Sequence, residues 1–71
     1  MNNIINLFDY FKDKTKYNPF DYDILNDAII FFDVSYLDLK GILNEIDKFN
    51  LIGVWISYYN KELIIKVKGF K

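Results

Sequence analysis

Apolar residues between Asn2 and Lys14 fall at Ile4, Leu7, Phe8 and Phe11, the spacing of one helical face, and Ile5 and Tyr10 widen the stripe. Asn2 or Asn3 is suited to cap its start, and Lys12 and Lys14 suit its negative end, so a helix is predicted over about residues 3–14. Asn18-Pro19-Phe20-Asp21 then carries helix-start signals: a capping asparagine, a proline for the first turn and an early carboxylate. A later start at Asp21 or Asp23 is the alternative. The predicted second helix runs over about 19–32 and is apolar on much of its circumference, through Ile24, Leu25, Ala28, Ile29, Ile30, Phe31 and Phe32. Such a helix must be buried on more than one side.

Ser35, with Asp38 three residues on, forms a variant of the capping box, and Val34 and Leu39 occupy the two positions of a hydrophobic staple. A third helix is therefore predicted over about 36–49. Leu39, Ile42, Leu43, Ile46 and Phe49 keep a 3.6-residue period, and Asn50 tolerates the left-handed conformation of a helix end. Beyond it the period becomes two. Val54, Ile56 and Tyr58 alternate with Trp55, Ser57 and Tyr59; after Asn60-Lys61, Leu63, Ile65 and Val67 alternate with Ile64, Lys66 and Lys68. This predicts a hairpin with strands over about 51–58 and 62–68. Residues 1–71 read as a single small α+β domain, with three helices followed by a two-stranded antiparallel hairpin.

That order, and the run Val34-Ser35, Leu39, Leu43, Ile46, Phe49 and Leu51-Ile52, resembles the winged helix-turn-helix domain from about Ala28 to Tyr59. In that family a valine-serine turn opens the recognition helix, and a glycine-leucine-isoleucine run leads into the wing; Asn50 stands where the glycine is usual. The resemblance implies a small DNA-binding transcriptional regulator, often dimeric. Tyr36, Lys40, Asn44 and Lys48 would face the major groove, with Lys61 and Lys66 in the wing. Asn44 has the chemistry to read an adenine edge, and the lysines that to meet phosphates.

Charge complicates this implication. The 71 residues carry nine basic and ten acidic side chains, and every basic one is lysine. Arginine, the usual reader of guanine and bidentate clamp of phosphate, is absent. Asp33, Asp38, Glu45 and Asp47 set four carboxylates on or beside a predicted recognition helix that holds only Lys40 and Lys48. Binding to duplex DNA rests on cation–phosphate contacts, so a nearly neutral helix opposes it. Apolar residues make up 52% of the chain and aromatics 20%, more than so small a body readily hides. That surplus supports a second reading: an interaction module, such as a virus-encoded inhibitor or adaptor, that binds a protein or a second copy of itself. Its candidate contacts are Ile30, Phe31, Trp55 and Tyr59, although the same aromatics also suit a large core. Lys66, Lys68 and Lys71 either guard an edge strand against pairing or meet phosphate.

Catalytic chemistry has little to build on. Histidine and cysteine are absent, the hydroxyls of Thr15, Ser35 and Ser57 lack an evident base, and Gly41, Gly53 and Gly69 are isolated. Asp21, Asp23 and Asp27 lack the spacing of a metal-binding loop. No enzyme activity, cofactor or metal is expected. The first residues lack a signal-peptide pattern and no stretch is long enough to span a membrane, so a cytoplasmic protein is expected.

Overall fold

The computed structural model describes residues 3–70, which form two helices and a four-stranded antiparallel sheet. The chain runs α1 (Asn3–Lys14), β1 (Asp21–Asp23), β2 (Ala28–Phe31), α2 (Tyr36–Ile46), β3 (Leu51–Tyr59) and β4 (Glu62–Phe70). The α+β class holds, but the three-helix winged arrangement does not. The predicted second helix over about 19–32 is instead the hairpin β1–β2, so no helix-turn-helix precedes α2. Asn2, one of the two suggested caps, and Lys71 lie outside the described residues.

The hairpin wins over the helix for local and tertiary reasons. Ile29, Ile30 and Phe31 are β-branched or aromatic and fit a pleated, buried surface. Asp27 takes a left-handed φ of 49°, a conformation that aspartate tolerates and that turns the chain. Asp23 fastens the same turn, accepting from the Asn26 side-chain nitrogen at 2.7 Å and from its backbone N–H at 3.3 Å. β2 then enters the sheet interior, between β1 and β4 in the order β1-β2-β4-β3. With Ala28, Ile29 and Phe31 buried and Ile30 half-buried, β2 shows a continuous apolar run and no alternation, which a buried helix imitates.

The core lies between one face of this sheet and the helices. Ile4, Leu7 and Phe11 of α1 and Ile42 and Ile46 of α2 meet Ile29, Phe31, Leu63, Ile65 and Val67. The Phe11 and Phe31 rings stand edge to face with centroids 5.2 Å apart. Register places Ile29 opposite Ile65 and Phe31 opposite Leu63, so these side chains share the helix-covered face.

The start of α2 is built as its cap signal implies: the Asp38 N–H donates to Ser35 Oγ at 3.1 Å, and Val34 is buried. Val34 is also held on both polar groups. Its N–H donates to the Lys61 carbonyl at 2.8 Å, and its carbonyl accepts from Tyr58 Oη at 2.5 Å. These bonds tie the entry of α2 to the β3–β4 hairpin. Ser35→Ala is expected to cost about 1 kcal/mol, as capping losses usually do. Urea unfolding checks it; an unchanged midpoint would mean that the Val34 clasp alone sets the helix start.

Candidate interaction surface

The two edges of the sheet are unlike. β1 spans three residues and carries two carboxylates, Asp21 and Asp23, the short charged design that discourages pairing. β3 spans nine residues, Leu-Ile-Gly-Val-Trp-Ile-Ser-Tyr-Tyr, without a charge or a proline. Among the described residues its sole strand neighbour is β4. Lys66 and Lys68 sit on β4, an interior strand, and so do not guard the edge; the unprotected strand is β3.

The turn fixes which backbone groups of β3 remain open. Asn60 and Lys61 have φ of 54° and 65°, the pair of left-handed residues of a two-residue type I′ hairpin. Such a turn closes on a hydrogen-bonded pair, here Tyr59 with Glu62. Alternation then commits Ser57 and Trp55 to β4 and directs the N–H and C=O groups of Val54, Ile56 and Tyr58 outward. An independent bond supports this parity: the Val67 N–H donates to the Asp27 carbonyl at 3.0 Å, so odd-numbered residues of β4 turn toward β2.

The side chains of β3 leave both of its faces open. Val54 and Ile56 register with Val67 and Ile65 on the helix-covered side, yet they are 40% and 42% exposed. α1 packs on β1 and β2, and the helical layer stops short of this edge. Trp55, 56% exposed, lies on the other face, with Lys66 Nζ 5.6 Å from its ring centroid. Tyr59 is more exposed still. Beside Trp55 an open groove of about 490 Å³ runs under the turn holding Leu25, past Gly53, Lys66 and Lys68.

The other residues singled out by sequence disperse. Ile30 lies half-buried on the open face, whereas Phe31, 1% exposed, is in the core and offers no contact surface. Tyr36, Lys40, Asn44 and Lys48 form an exposed stripe along and just beyond α2, with Lys40 Nζ 5.2 Å from the Tyr36 ring centroid. Lys48 is engaged by Glu45 at 3.1 Å. Lys61 is at the β3–β4 turn, and Lys66 projects from the sheet face opposite the helices. The six residues named for DNA thus occupy separate surfaces. Missing from the sequence reading were Ile52, Val54 and Ile56, whose exposure follows from β3 being an edge.

Glu45 also joins the helices, accepting from Tyr10 Oη at 2.6 Å. This bond, together with that from Lys48, holds the Glu45 carboxyl below its ordinary range, and the same bond raises the Tyr10 hydroxyl. A lowered carboxyl contributes stability above its unfolded value and loses it as pH falls through the folded one. A raised hydroxyl contributes below its unfolded value and loses it as pH rises through the folded one. The stability gap between the wild type and Tyr10→Phe is therefore expected to be widest near neutrality and to narrow in acid and in alkali. Thermal unfolding across pH checks it, and a gap independent of pH would refute the coupling.

Among the described residues no group of three potential metal ligands gathers, and no helix is long and apolar enough to cross a membrane. No family model matches the chain, and no curated protein or solved structure is significantly similar to it.

Proposed function

We propose that this protein is a non-catalytic protein-interaction module that takes an extended apolar strand of a partner onto its β3 edge. One observation carries this reading: a nine-residue edge strand with no charge and no proline, exposed on both faces. Strand addition draws affinity from main-chain hydrogen bonds and selectivity from alternate side chains. β3 supplies both elements, with outward backbone groups at Val54, Ile56 and Tyr58 and apolar contacts at Val54, Ile56 and Trp55. A DNA role lost its fold-level ground with the helix-turn-helix, and its candidate lysines point in different directions.

Panning a displayed library of random linear peptides against the immobilised protein tests this reading. Retained peptides are expected to alternate apolar residues, and Ile56→Pro is expected to weaken them about tenfold or more, about 1.4 kcal/mol. Proline removes an outward N–H while leaving the bonds to β4 in place. Failure of a wild type that runs as a single chain to retain any peptide, or retention indifferent to Ile56→Pro, would refute the reading. A duplex DNA probe at about 50 mM salt, where phosphate contacts are strong, is expected not to shift. A shift abolished by Lys40→Ala would replace this reading with the DNA one.

A further inference from the structure

Resting on that reading of β3, we infer that the strand it takes is the β3 of a second copy, paired antiparallel about a two-fold axis through Trp55. An isologous contact requires a surface that complements itself. β3 does so residue by residue. Trp55 is the midpoint of Leu51–Tyr59, and rotation about it sets Leu51 opposite Tyr59, Ile52 opposite Tyr58, Gly53 opposite Ser57 and Val54 opposite Ile56. Large apolar residues meet large apolar residues, and the two small ones meet each other. With no charge on the strand, the rotation brings no like charges together.

The backbone agrees with this axis. The residues whose N–H and C=O groups point outward, Val54 and Ile56, become hydrogen-bonded partners. Trp55 then faces its own copy as a non-hydrogen-bonded pair. Along the strand its neighbours on that face are Gly53 and Ser57, which are small enough to leave room for two indole rings, while Lys66 of β4 flanks it on the inner side. On the helix side, Val54 and Ile56 of each copy cover one another where the helical layer ends. Gly53 has a φ of 63°, and the bend this gives the strand falls outside the central Val54–Ile56 pairs. Pairing joins the two four-stranded sheets into one continuous sheet and removes the unguarded edge from both copies.

Light scattering after gel filtration is expected to give twice the 8.5 kDa of the single chain at tens of micromolar. Val54→Lys, which puts a charge on the edge, and Ile56→Pro are each expected to give the single-chain mass with an unchanged far-UV circular dichroism spectrum. Val54→Lys keeps the test decisive should Ile56→Pro not fold. The register has its own readout, because the chain contains no cysteine. A non-hydrogen-bonded pair places Cα atoms about 4.5 Å apart, within the roughly 4.4–6.8 Å of disulfides. Trp55→Cys is therefore expected to form a disulfide-linked dimer on mild oxidation. Ser57→Cys is not, since its two copies would lie about 13 Å apart along the strands.

A single-chain mass for the wild type overturns self-pairing; if peptides are still captured in an Ile56-dependent way, the strand-binding reading stands without it. A dimer that survives in both folded variants overturns it too, as does cross-linking through Ser57→Cys but not Trp55→Cys. Loss of the dimer in Val54→Lys together with the Trp55→Cys cross-link supports it.

Discussion

Phe31→Ala is expected to leave the chain largely unfolded at room temperature, whereas Ile30→Ala, one residue earlier, leaves it folded. Phe31 is 1% exposed and stacks edge to face on Phe11 at the centre of the core. Truncating a buried phenylalanine costs about 3–5 kcal/mol, from lost transfer energy and the cavity left behind. A single core in a domain below about 70–80 residues rarely supplies more than about 3–5 kcal/mol in total. The loss is thus of the same size as the whole stability. Its ring partner Phe11 and its cross-strand partner Leu63 are held by α1 and by the β2–β4 ladder, which limits their collapse into the space left. Ile30 points to the opposite face and is half-buried, so its truncation is expected to cost about 1 kcal/mol, an ordinary surface-side loss. Urea unfolding followed by circular dichroism measures both. Equal costs at the two positions would contradict a two-residue alternation at β2, and with it the assignment of this segment to the sheet.

The same contrast explains what could be read from the chain and what could not. Ser35 and Val34 announced the start of α2 because caps and staples are local, and the bond from the Asp38 N–H is made within one turn. The last two strands were legible because β4 buries one face: Leu63, Ile65 and Val67 are buried while Lys66 and Lys68 are not, which leaves a period of two. β2 had no such period to show. Ala28 and Ile29 are both buried, though they point to opposite faces, and an unbroken apolar run fits a buried helix equally well. The signal that the chain does carry lies in Asn26-Asp27, a turn pair between two runs, which the sequence reading did not consider beside the helix-start pattern at Asn18-Pro19. Missing β2 hid the surface as well. Trp55 and Tyr59 stood out by alternation alone, but only the insertion of β2 against β4 shows that β3 ends the sheet and that Val54 and Ile56 are uncovered.

Gly53→Val is expected to destabilise the protein by about 1–3 kcal/mol through backbone strain alone, and by more once the new side chain is fitted. Valine is a favourable residue in most strands, so strand propensity predicts the opposite sign. Gly53 departs from the rule because its φ is 63°, a region that β-branched side chains almost never occupy. A Cβ at this position would also stand 2.8 Å from the Cβ of Lys68 on the adjacent strand, closer than carbon atoms pack. Neither atom is the tip of a flexible chain, so the backbone of β3 or β4 must move. Two further variants separate strain from overlap. Asparagine tolerates a left-handed φ better than alanine does, while both bring the same Cβ. If strain dominates, Gly53→Asn costs less than Gly53→Ala; if overlap dominates, the two are equal and both approach valine. A stable Gly53→Val protein would mean that β3 straightens without penalty, extending the flat, uncharged edge by two more residues. In that event the variant should self-associate more strongly than the wild type, because the two-fold register pairs Leu51–Gly53 with Ser57–Tyr59, and the positive φ at Gly53 disturbs both ends of that pairing.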